Sequence, residues 1–285
     1  MESTAWREIV STALSMGERF RADGSVAWYR GERDSSWTLK STLHRHLERL
    51  TEGLVEPLTE DERISELRDQ YKTLYRRFKA EAWPLLDDHE RSDWGVVFTM
   101  QHFSLPTRLL DWSESFACAV FFAQLRRKPD DTASIWVLDP HQLNMLSCDC
   151  LGIVALDEGT SDPVNLDAMR WHPKRLPPTD PLKTIAVAPI YTNRRMVQQQ
   201  AKFALMGDSF LPLDEQFGGK LIQQDRLRRI ILPPETFNDA EEFLSAAGLS
   251  AFSFFPDLQG LALKYEAQVE SDIISLLAKG LTQRS

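Results

Sequence analysis

The succession of apolar and polar positions divides the chain into helical and extended stretches. Trp6, Ile9, Val10, Leu14 and Phe20 recur at helical spacing, so an amphipathic helix is expected over 4–21, ended by Asp23-Gly24. Ser25 to Gly31 is a short apolar and aromatic run closed by glycine, which predicts a strand. The clearest helical pattern covers 59–83. There Thr59, three residues before Glu62, makes a capping box, and Ile64, Leu67, Tyr71, Leu74, Phe78 and Ala82 share one face. A helix over 92–102 stops short of Pro106, which drives its predecessor out of the α region, and Thr107–Asp111 then reads as a buried strand. Ser113 or Ser115 caps a helix through Phe116, Ala119, Val120 and Phe122. Strands are predicted at 133–138, 184–188, 201–206 and 227–232, and helices at 235–246 and 257–279. Between them, 148–182 carries Pro163, Pro173, Pro177, Pro178 and Pro181 with little periodicity, so a long functional or mobile loop is expected. The expected class is α+β: a mixed or antiparallel sheet decorated by helices, in one domain with helical extensions at both ends.

Composition narrows the function classes. With 42% hydrophobic and 26% charged residues the chain of 285 residues is neither disordered nor fibrous. No run of about 18 apolar residues occurs, so no membrane span is expected, and the first residues lack the pattern of a signal peptide. Three cysteines, an odd number, argue against a disulfide framework and fit a reducing cytoplasm. The net charge of -9 disfavours non-specific coating of nucleic acid but leaves room for a local basic pocket that holds a phosphate-bearing ligand.

Three segments concentrate candidate chemistry. In Tyr29-Arg30-Gly31-Glu32, an arginine at a strand end beside a glycine suits a phosphate or ribose; the plainer alternative pairs Arg30 with Glu32 or Asp34. In Gln101-His102-Phe103-Ser104-Leu105-Pro106-Thr107-Arg108-Leu109-Leu110-Asp111-Trp112-Ser113-Glu114-Ser115, the polar groups are too dense for an apolar strand unless an internal network or a ligand satisfies them. An Arg108–Asp111 pair is the plainer explanation there. The third segment, Asn193 to Phe203, holds Gln198, Gln199 and Gln200 before an apolar strand, as ligand-facing amides or as a solvated helix end. Cys148 and Cys150, flanked by His141 and His172, are spaced too closely for a structural zinc site, and no metal is expected. Cys118 sits in an apolar run and is expected to be buried and inert. No P-loop, nucleophile elbow or dinucleotide glycine pattern is found.

These segments together resemble the FRG-domain family, named for a Phe/Tyr-Arg-Gly motif. Tyr29-Arg30-Gly31 stands for that motif, with Trp37, Leu39 and Arg45 after it. Gln101-His102 and Leu105 through Ser113 are similar to the family's most specific motif. Arg195, Gln199 and Phe203 match its Arg…Gln-x-Gly-x-Phe block, with Ala201 where the family has glycine. Phe255-Pro256-Asp257-Leu258 and Gly260-Leu261 look like its C-terminal signature, so the resemblance spans 28–262.

The family's order of elements is similar to that of ADP-ribosyltransferase-type folds, which carry an arginine on an early strand, a serine-rich strand-to-helix turn and a polar residue on a late strand. The resemblance implies Arg30, Ser113-Glu114-Ser115 and Gln199 in those places, with Asp111, Glu114 or Glu32 supplying a carboxylate. The implied function is an enzyme that takes NAD as substrate and passes ADP-ribose to a macromolecule (RNA, DNA or protein) or to water. Arg30, Asp111, Glu114 and Gln199 would do the chemistry, and Tyr29, Gly31, His102, Thr107, Arg108, Trp112 and Ser113 would line the ligand, with Trp112 stacking on a ring. FRG-like proteins resemble bacterial effectors and phage-defence proteins, which implies a cytoplasmic toxin restrained by an antitoxin or regulatory partner. The competing expectations are a non-catalytic module whose Arg30, Arg108 and Arg195 bind a nucleotide or phosphate, and a metal-independent nuclease using His102.

Overall fold

The computed structural model describes residues 3–156, 168–177 and 179–282. In chain order the elements are α1 Thr4–Ala22, β1 Trp28–Glu32, α2 Thr42–Thr51, α3 Glu60–Ala82, α4 Asp93–His102, β2 Leu109–Ser113, α5 Phe116–Gln124 and β3 Ala133–Leu138. There follow α6 Pro140–Cys148, β4 Val154–Leu156, β5 Ile185–Pro189, α7 Arg194–Gln198, β6 Ala201–Leu205, α8 Lys220–Gln223, β7 Leu227–Leu232, α9 Phe237–Ala246, α10 Ala251–Phe254 and α11 Leu258–Thr282. The predicted capping box of Thr59 and Glu62 forms at α3, and Ser115, one of the two expected caps, accepts from the first turn of α5; Ser3 and Ser92 cap α1 and α4 in the same way, without having been expected to.

The strands make one seven-stranded sheet in the order β4-β5-β6-β2-β1-β3-β7. Only β4 and β5 run parallel, so the sheet is mixed and the class is α+β. Alternation along the strands sorts the core into three clusters. Leu109, Ile185, Val187, Phe203 and Leu205 face α3 and α4. Tyr29, Ile135, Val137 and Ile230 on the same side of the sheet face α1, α5 and α9. On the opposite side, Trp28, Leu110, Trp112, Trp136 and Ala204 pack with Leu143 of α6 and Leu221 of α8. Each fully buried large side chain contributes on the order of 2–3 kcal/mol by leaving water.

The sheet is irregular between its two central strands. β2 and β6 are in register over the whole of β2, and β1 and β3 over the whole of β1, whereas β1 and β2 meet at the single pair Tyr29–Ser113. The sheet therefore splits between β1 and β2 from Arg30 and Trp112 onward.

Several expectations are corrected. The second strand starts at Leu109, not Thr107, because Thr107 turns back: its Oγ1 accepts from Leu109 N and its carbonyl from Leu43 N. The proline-rich 148–182 stretch contains β4, which pairs with β5, and a 3-10 turn at Ala168–Trp171; Pro163 and Pro178 lie outside the described residues. Cys148 and Cys150 form a disulfide across Asp149, which the odd cysteine count did not suggest. Cys118 is buried and free, its thiol pushed up to about 12 by burial. Among the described residues, no helix is long and apolar enough to cross a membrane.

Candidate functional site

Where β1 and β2 part, a cleft of about 530 Å³ opens on the sheet face that carries α4 and α5. Its walls are Phe98, Gln101 and His102 of α4, Cys118, Ala119 and Phe122 of α5, and Arg195, Phe255, Gln259 and Leu263 from α7 through α11. Arg30, Asp111, Ser113 and Phe203 line it from the strands. That size lies within the roughly 300–1,000 Å³ of small-molecule sites.

Arg30 shares its sheet face with Trp136, to which it is paired in register. From there its guanidinium reaches into the split: Nη1 donates to the Asp111 carbonyl at 2.9 Å and Nε to Glu32 Oε1 at 3.1 Å. The side chain thus takes the place of the missing ladder bonds. Glu32 is buried and held from its other side by Trp136 Nε1 at 3.3 Å. The pairing of Arg30 with a local carboxylate is therefore present, and Glu32 is the partner.

Asp111 lies on the opposite face and projects into the cleft, its side chain 60% exposed. Gln101 Nε2 donates to Asp111 Oδ2 at 2.8 Å, and Arg30 Nη1 stands 4.0 Å from the same oxygen. Behind it, the Thr107 hydroxyl donates to Gln101 Oε1, which leaves the amide N–H of Gln101 for Asp111. Thr107 is fully buried and is not a lining residue; it orients Gln101 instead. Gln101 itself has no signal in the sequence beyond its place in the dense motif.

The far wall is tied by its own ion pairs. Arg195 Nε donates to Asp257 Oδ2 at 2.6 Å and Nη2 to Gln259 Oε1 at 2.9 Å, with the guanidinium 4.8 Å from the Phe255 ring. Hydrogen bonding from Arg195 holds the Asp257 carboxyl below the usual range. His102 faces this wall; burial, then the Arg195 charge, lowers its pKa and keeps its ring neutral at pH 7.

Other expected site residues lie elsewhere or serve the fold. Arg108 is fully buried and pairs with Asp208 at 3.0 Å, not with Asp111, in a cluster that also holds Arg68. Trp112 borders the cleft, but its side chain alternates to the far face and packs there at 3% exposure, which leaves its ring no open face for a cleft ligand. Glu114 is not a lining residue and sits 3.5 Å from Lys202. The Ser113 hydroxyl donates to the Gln199 carbonyl at 2.6 Å and accepts from Ser115 N. Gln199 caps α7 instead of lying on a strand, and its amide donates to the Phe254 carbonyl at 3.1 Å. Tyr29 borders the cleft, but its ring packs edge-on against Phe116. Gly31 admits a helix and not a ligand: a Cβ there would lie 1.8 Å from the Ala119 carbonyl oxygen of α5. His172 is wedged edge-on to Tyr75 and Trp94, and among the described residues no group of three or more His, Cys, Asp or Glu could hold a metal.

The cleft thus joins Arg30, Asp111, His102 and Gln199 with Glu32 and Arg195, and with Gln101, to which no role was assigned from the sequence. Residues 25–132 match the family model of the FRG domain, so the match covers β1 through α5 and stops before the Arg195 and Asp257 wall. No curated protein and no solved structure matches the chain.

Proposed function

Because the chain carries an FRG domain at residues 25–132, and the cleft is built largely from that domain, we propose that it is an ADP-ribosyltransferase-like enzyme that takes NAD as substrate. The observation that carries this reading is Asp111: an exposed carboxylate, fixed by Gln101 and flanked by Arg30, on the wall of a cleft of small-molecule size. Cleavage of the nicotinamide–ribose bond sends the bonding electrons to the ring nitrogen and leaves positive charge on C1′ and its ring oxygen. A carboxylate already oriented there stabilises that charge without reorganising, which is often the largest catalytic term. An acceptor hydroxyl or amine, or water, then adds at C1′ and loses its proton to solvent or to the neutral His102 ring. A macromolecular acceptor and a restraining partner in the cytoplasm belong to the same proposal.

The test is nicotinamide release from NAD by the purified protein, with and without cellular RNA, DNA and protein. Asp111→Asn should reduce release at least about a hundredfold while leaving NAD binding within about threefold. Undiminished turnover in that variant rules out the assignment.

A second reading, a non-catalytic nucleotide-recognising module, is favoured by two observations. Arg30 is neutralised by Glu32, and the Gln199 amide is engaged by Phe254. NAD binding with no release in any extract would select it.

A further inference from the structure

Four arginines line the cleft: Arg30, Arg33, Arg126 and Arg195. Arg30 and Arg195 are spent on Glu32 and Asp257. Arg33 and Arg126 are exposed and make no ion pair among the described residues. Asp34 lies within electrostatic reach of Arg33, but its carboxylate turns back to Ser36 N and Oγ at 2.8 and 2.7 Å.

The two arginines stand at the same end of the cleft. β1 and α5 run side by side, with Tyr29 against Phe116 and Gly31 against Ala119 and Ala123. A strand rises about 3.3 Å per residue and a helix about 1.5 Å, so two residues beyond Gly31 is level with the end of α5. Arg33 and Arg126 occupy those places. Arg126 holds a positive φ of 61° just past α5, where glycine is the usual residue. A long charged side chain kept in a backbone conformation that L residues resist marks a position whose side chain has a use. Beside them the half-exposed Trp37 ring also lines the cleft and already carries the Arg33 guanidinium at 5.2 Å.

We infer that Arg33 and Arg126 form the anion-binding end of the cleft and that Trp37 is its stacking face, together a site for the diphosphate and base of a nucleoside diphosphate. This rests on the nucleotide reading of the cleft and moves phosphate recognition from Arg30, where the motif drew attention, to two arginines outside it. Two unpaired guanidiniums match two phosphoryl groups, and an aromatic face beside them matches a planar base. The size of the cleft and the net charge of -9 favour a small ligand over a nucleic-acid chain.

The probes are ADP, adenosine and a single-stranded oligonucleotide, titrated calorimetrically against the full chain. ADP should bind at least about tenfold more tightly than adenosine, the value of one or more charge-assisted hydrogen bonds. Arg126→Gly and Arg33→Gln should each weaken ADP by about tenfold and leave adenosine unchanged, whereas Trp37→Ala should weaken both. Arg126→Gly suits the positive φ, so its melting temperature should hold or rise, and lost binding cannot be ascribed to misfolding. Equal affinity of ADP and adenosine, or unchanged ADP affinity in both arginine variants, overturns the site. Tighter binding of the oligonucleotide than of ADP also overturns it. If ADP binding collapses in the variants but wild type never releases nicotinamide, the site stands and the enzymatic reading falls. If both variants cleave limiting NAD at the wild-type rate, the enzyme stands and this site falls.

Discussion

A glycine and an arginine in the sequence motifs turn out to serve packing, and each carries a measurable cost. At Gly31 the space for a side chain is filled by the backbone of α5, within 1.8 Å of the Ala119 oxygen and 2.7 Å of Ala123 N. Neither neighbour is a flexible side chain, so Gly31→Ala must displace the helix from the sheet. Its expected cost is above about 3 kcal/mol in urea unfolding, and a loss under about 1 kcal/mol would contradict the packing described. Arg108 and Arg68 converge on Asp208, which also accepts from Leu182 N at 2.7 Å. Asp208→Asn strips the anion from two buried guanidiniums and should cost about 3–5 kcal/mol in the same measurement. The close spacing of Arg108 and Asp111 made a local pair plausible in the sequence. Asp111 projects into the cleft from β2, whereas Arg108 precedes that strand and is buried, and the partner that Arg108 finds, Asp208, is 100 residues away and has no sequence signal.

At the scale of the element, helices with strong caps and long apolar stripes were legible because their signals are local. α1, α3, α4 and α5 begin within a residue or two of where the apolar spacing or a cap places them. Ser115 was one of two candidates for the α5 cap, and its hydroxyl accepts from Cys118 N at 3.2 Å. Ser115→Ala should therefore destabilise the protein by about 1 kcal/mol, read as a change in the urea midpoint at unchanged slope. Ser113, the other candidate, instead accepts from Ser115 N and holds the Gln199 carbonyl. Of the short elements, β4 was not legible, while the glutamine run closes α7 as one of its two readings had it. A three-residue strand has no period of its own, and β4 is extended because β5 offers it a parallel partner.

For the whole molecule, two interior histidines set the acid limb of stability. Burial, then the Arg108 charge, pushes the His44 pKa down to about 3, and burial pushes His172 down to about 4. Both folded values lie below the ordinary 6.5. As pH falls the unfolded chain therefore takes up protons first. The stability these rings contribute is complete above about pH 6.5 and is lost as pH drops towards 4 and then 3. A tenfold change in proton affinity is worth about 1.4 kcal/mol, so His172 alone accounts for at most on the order of 3 kcal/mol. For Asp93, burial acts upward, but Lys174 and Lys79 prevail and hold it near 2, so its contribution is lost only below the ordinary 3.8. The melting temperature should decline steadily from about pH 6.5 to 4.5, and His172→Gln should flatten that slope. A melting temperature independent of pH across that interval would contradict the burial of both rings.

Local chemistry in the chain was enough to determine the α+β class, the capping box at Thr59, the core faces of the long helices and the dense motif from Gln101 to Ser115. Periodicity, capping and proline sterics act within a few residues, so they can be read without the fold. The cleft depended on tertiary structure, because it exists where β1 and β2 part after one pair. That parting brings Arg30 from one face and Asp111 from the other to the same opening. It also decided which motif residues meet a ligand-sized space and which face the interior, since alternation reverses the face at every residue and one residue of register separates Asp111 from Trp112. That Trp136 holds Glu32, and that Arg33 and Arg126 line the same cleft, follows from contacts between distant segments, and distance in space is the quantity a sequence does not display.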